Sequence, residues 1–180
     1  YKYRAFRYTQ DFDGETVIKP NLTIRWDDLR KASILINPAD SAVQDLAEEV
    51  TAAVIPEVCN EIHEDYAVAM GLYQAMQQFG IRYSEDPLTP FSAAVNNPDY
   101  IDSVRLSRDV IEEKKGDSLE LSVFYSSLLE AAGIRTALLE RGGKMLTAFQ
   151  VQFDGGPENQ AGSVSFFEPS YLIEEEDRYW

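Results

Sequence analysis

Two pairs of side chains in this chain have types and spacings suited to nucleophilic chemistry. Ser118 follows Gly116-Asp117 at the opening of an apolar helical pattern, and Lys144 follows Gly142-Gly143 where a strand pattern begins. A hydroxyl at a helix start has the positive end of the helix dipole and free N–H groups beside it, which favour an anionic nucleophile and an oxyanion. A desolvated lysine can act as general base, so the two residues allow a Ser-Lys dyad. An exposed lysine stays protonated near neutral pH and cannot take that role. The second pair is Cys59 and His63, four residues apart and able to share one helix face. Neither would then stand at a helix N-terminus backed by a sheet, so Cys59 reads as a small buried apolar residue and His63 as a solvated one. The run Glu174-Glu175-Glu176-Asp177 offers oxygens to calcium, yet it lacks the spaced ligands of a calcium loop and reads as a solvated turn. One cysteine and one histidine are too few for a multi-ligand transition-metal site, and no cofactor is expected.

The elements that must position Ser118 and Lys144 are marked by local signals. Asp117 is suited to cap a helix, with Glu120 three positions on reaching back as in a capping box. Leu121, Phe124, Tyr125, Leu128, Leu129 and Ala132 make its apolar face, and Gly133 stops it. Three strand-like segments follow at 134–140, 145–153 and 163–167, joined by Gly142-Gly143 and by Asp154-Gly155-Gly156-Pro157. A last strand or hairpin is expected around 171–173 and 178–180. Upstream, residues 1–38 are β-rich and read as two or three strands, the last of them KASILI. Asp40 or Ser41 then caps a helix with apolar positions Val43, Leu46, Ala47, Val50 and Val54, which Pro56 interrupts. A second helix carries Val58, Ile62, Tyr66, Ala69, Tyr73, Met76 and Phe79 and ends at Gly80. Three X-Pro steps make residues 81–107 an ordered surface loop, and 108–114 a short helical turn. Helices first and an antiparallel sheet afterwards indicate an α+β fold.

With 180 residues and 44% hydrophobic content, the chain can bury one substantial core. Its formal charge of −15 repels phosphate backbones, which makes nucleic acid a poor partner. No apolar run reaches the roughly 18–20 residues that a membrane span needs.

In order and spacing, Gly116-Asp117-Ser118-Leu119-Glu120-Leu121, Leu128-Leu129-Glu130-Ala131-Ala132-Gly133-Ile134 and Gly142-Gly143-Lys144 resemble the bacterial transglutaminase-like, papain-fold superfamily. One branch of it reads Gly-Asp-Cys, an acidic-Leu step, an apolar helix, Leu-Leu-Glu-x-x-Gly-Ile, a strand and Pro-Gly-His. The upstream GLYQAMQQFGIRYSEDPLTP is similar to the same branch, so the resemblance spans residues 66–151. It implies a papain-like α+β domain over 39–180, behind the β-rich segment 1–38. Ser118 then stands where the family has its cysteine nucleophile and Lys144 where it has the histidine base, with Glu168 a candidate for the orienting acid. A serine is a far weaker nucleophile than a thiolate and depends on an adjacent base. The resemblance therefore implies a catalytically degenerate domain, a pseudoenzyme that serves as a binding or scaffolding module for a protein or peptide within a larger protein. The alternatives are a hydrolase or acyl transferase using Ser118 and Lys144, or a cysteine peptidase or transglutaminase substituted at its active site. Relatives with this layout occur in exported or envelope proteins, so the expected location is the periplasm or cell surface.

Overall fold

A computed structural model describes residues 22–57, 63–86, 88–97 and 99–151, and the backbone of 163–167. The chain is a mixed α+β structure. Strand β1 (Leu22–Arg25) leads into a 3-10 helix at Leu29–Leu35, followed by helix α1 (Ser41–Val54), a 3-10 turn at Ile55–Glu57, and helix α2 (Glu64–Gln78). Short elements come next: β2 (Arg82–Tyr83), α3 (Phe91–Ala94), β3 (Ile101–Val104), α4 (Ser107–Glu113) and β4 (Lys115–Gly116). Helix α5 (Ser118–Ala131) is followed by β5 (Thr136–Arg141), β6 (Lys144–Val151) and β7 (Ser163–Phe167). The last three strands form an antiparallel sheet in that order. β1 pairs with β3 antiparallel, and β2 with β4 parallel. Among the described residues no helix is long and apolar enough to cross a membrane.

Helix α5 is the centre of the fold because its sequence leaves it no solvent face. Every residue from Ser118 to Leu129 is buried. On one side Leu121, Phe124, Tyr125, Leu128 and Leu129 pack in a cluster with Val43, Leu46 and Ala47 of α1 and with Val68, Leu72 and Met76 of α2. On another, Leu119 and Val123 join Trp26, Leu35, Phe91, Val104 and Met145. Each large apolar side chain so enclosed stabilises the fold by about 1.5–3 kcal/mol relative to exposure. The start of α5 follows the capping rule: Asp117 Oδ1 accepts the Glu120 N–H at 2.9 Å, and Glu120 Oε2 accepts the Asp117 N–H at 3.0 Å. At the β5–β6 turn Gly142 and Gly143 have φ of +62° and +80°, between the paired residues Arg141 and Lys144. A two-residue hairpin turn with positive φ at both central positions matches the strand twist, and glycine adopts it without a Cβ clash.

Several local expectations change in the folded chain. KASILI is not a strand: Asp28 caps a 3-10 helix, its side chain accepting the Arg30 N–H, and Ala32 and Leu35 turn into the core. β-branched composition suggested extension, but capping and burial of one face decide the backbone here. Residues 81–107 are more than a surface loop, since they supply β2, α3 and β3 and bury Phe91, Ala94 and Val104. Helix α2 begins only after His63, whose backbone is extended. The expected strand and hairpin positions beyond residue 167 lie outside the described residues.

Candidate functional site

Ser118 is the first residue of α5 and is only 4% exposed. Its Oγ accepts the backbone N–H of Met145, the second residue of β6, at 3.3 Å. The same helix face continues with Ser122 and Ser126, one turn apart each, and all three meet the same strand. Ser122 Oγ donates to the Met145 carbonyl at 2.9 Å, Ser126 Oγ lies 3.2 Å from Thr147 Oγ1, and Thr147 Oγ1 donates to the Ser122 carbonyl at 3.0 Å. A helix buried on every side must pair its polar groups internally, since an orphaned buried hydroxyl costs about 1–3 kcal/mol. Ser118 is the first rung of this ladder. A backbone N–H engages a lone pair of its hydroxyl and cannot accept its proton.

Lys144 opens β6 and is exposed, while Met145 beside it is buried against α5. Strand alternation sends the two side chains to opposite faces. The fold thus brings position 118 to the beginning of β6, with Met145 as the residue it meets. Glu168 lies outside the described residues, as do Cys59 and the run 174–177. His63 is placed otherwise than expected. It is the N-cap of α2 rather than part of a helix face shared with Cys59, and its Nδ1 accepts the Asp65 N–H at 3.2 Å. An imidazole that caps a helix is committed to the backbone and is not simply solvated. Among the described residues no group of three or more His, Cys, Asp or Glu side chains could hold a metal ion.

The strongest electrostatic feature lies immediately before Ser118. Three carboxyls, Asp102, Asp117 and Glu120, are each 2–3% exposed. Asp102 Oδ2 accepts the Trp26 indole N–H at 2.8 Å. Glu120 Oε1 accepts the Arg105 backbone N–H at 2.7 Å, and the Arg105 guanidinium lies 3.1 Å from Oε2. The guanidinium also reaches Glu113 at 2.9 Å. Burial pushes the Asp117 carboxyl up to about 7, and the neighbouring Glu120 charge adds to the rise. Burial also raises Asp102 and Glu120, the latter against the opposing pull of Arg105 and of its N–H donors. The guanidinium on Glu120 favours its ionised form, and that charge in turn favours a protonated Asp117. The Asp117–Glu120 box is written locally in the sequence, whereas Asp102 and Arg105 meet it only through tertiary packing. The serine spacing 118, 122, 126 along a largely apolar helix is the visible sign of the ladder.

Comparison with known proteins finds no matching family model, no matching curated protein and no matching solved structure.

Proposed function

We propose that this chain is a catalytically degenerate, transglutaminase-like domain of papain-like topology, acting as a binding or scaffolding module for a protein or peptide ligand. The observation that carries the reading is the state of Ser118: buried, first in a hydroxyl ladder, and engaged by a backbone donor. A serine nucleophile needs a base within hydrogen-bond reach of its proton and an open approach for the acyl group. The opposite facing of Lys144 and Met145 weighs against a dyad with the lysine. Loss of chemistry leaves the helix-on-sheet frame intact, because the same hydroxyl that no longer reacts now fastens α5 to β6. The periplasm or cell surface is the proposed location on the sequence resemblance alone.

The test is turnover on peptide and glutamine substrates, covering amidase, protease and transamidase chemistry. The wild-type chain is expected to match Ser118→Ala at background. Turnover that disappears in both Ser118→Ala and Lys144→Ala would establish the dyad and overturn the reading.

A further inference from the structure

Among the described residues, three buried carboxyls lie around the start of α5, and the Arg105 guanidinium pairs with one of them, Glu120. Asp102 comes from β3, and Asp117 and Glu120 from the α5 cap. Arg105 follows β3 and divides its guanidinium between Glu120 and the half-exposed Glu113 of α4. Of the other described charges near the junction, Asp86 adds a negative charge next to Asp102, and Lys115 of β4 lies 3.8 Å from Glu113. Full ionisation would set three buried negative charges beside the Arg105 guanidinium, which burial strongly disfavours unless each charge is paired.

The hydrogen bonds show what that charge holds together. The Arg105 N–H and guanidinium clamp the end of β3 onto Glu120, Glu120 holds the Asp117 N–H, and Asp117 holds the Glu120 N–H. We propose that this junction is a proton-controlled latch, closed while Asp117 carries a proton and loosened when Asp102, Asp117 and Glu120 are all ionised around Arg105. The raised titration of Asp117 is consistent with it, the larger cause being burial and the next the Glu120 charge. A group whose folded titration point lies above its open one favours the closed form at low pH, and that preference is lost as pH rises through the folded value. The latch concerns how β3 is held to α5 and does not depend on whether Ser118 is inert.

The test is amide hydrogen exchange at Arg105, Asp117 and Glu120 in the 180-residue chain at pH 5 and pH 8, corrected for the intrinsic rate. For a carboxyl moved from an ordinary value to about 7, the opening equilibrium should rise roughly ten- to a hundredfold over that interval. In Asp117→Asn, which keeps a capping side chain without a titrating proton, the rise should shrink to about threefold or less. A carboxyl carbon titration of the wild-type chain gives a second reading that needs no variant, with Asp117 expected to ionise between pH 6 and about 8. Asp117 fully ionised at pH 5, protection unchanged across the interval, or an equal rise in Asp117→Asn would each overturn the latch.

Discussion

Thr147→Val removes one hydroxyl from the ladder between α5 and β6 while keeping the shape and β-branching of the side chain. Thr147 is fully buried, donates to the Ser122 carbonyl at 3.0 Å and shares a bond with Ser126 Oγ at 3.2 Å. The substitution deletes a net hydrogen bond of about 1 kcal/mol and leaves Ser126 without its cross-element partner, a penalty of about 1–3 kcal/mol for a buried hydroxyl. Ser126 can turn its hydroxyl onto the Ser122 carbonyl, four residues back, which the loss of Thr147 vacates, and this recovers part of the penalty. The expected loss is therefore about 1–3 kcal/mol. With a urea slope of about 1–3 kcal/mol/M for a chain of this size, the midpoint should fall by about 1 M. Ser126→Ala alone should cost a similar amount, but adding it to Thr147→Val removes both partners together, so the double variant should lose about 1 kcal/mol less than the two singles summed. Urea melts of the four proteins measure all of this. Single variants within about 0.3 kcal/mol of wild type, or strict additivity, would refute the view that these hydroxyls join the helix to the sheet.

The hairpin and the cap give two more expectations. Gly143→Ala should destabilise by about 1–2 kcal/mol, because φ is +80° and an added Cβ would stand 3.2 Å from Ser92 Cβ; Gly142→Asn, with nothing near its Cβ position, should cost less in the same melts. Asp117 holds its proton more tightly folded than unfolded, so its contribution to stability is complete below about pH 4 and fades as pH rises towards 7. Wild-type stability should accordingly fall between pH 4 and 8 from this group, and thermal melts of Asp117→Asn should show a shallower fall.

How much could be read from the sequence depended on how local the cause was. The Asp117–Glu120 box and the Gly142-Gly143 turn were legible, since a cap and a two-glycine hairpin act through neighbours along the chain. The 3-10 helix at Leu29–Leu35 was not, because its alternating aliphatic residues suit a strand and only the packing of Ala32 and Leu35 against the core tips the balance. Residues 81–107 looked like a loop on account of their prolines, yet Phe91 meets Trp26 edge-to-face at 5.6 Å and anchors the segment. Arg105 carried no local signal, its partner Glu120 lying fifteen residues away. At position 118 the helix start was legible and the state of the hydroxyl was not, since the Met145 N–H reaches it only once α5 lies on β6.

Whether Ser118 is a structural hydroxyl or a nucleophile is tested most directly by its reaction with a phosphonylating reagent selective for activated serines. The wild-type chain would be incubated with a fluorophosphonate near neutral pH, and adducts located by intact mass and peptide mapping. A buried hydroxyl that accepts the Met145 N–H should give no adduct at Ser118 while the protein stays folded. Stoichiometric phosphonylation of Ser118, abolished by Lys144→Ala, would contradict the account.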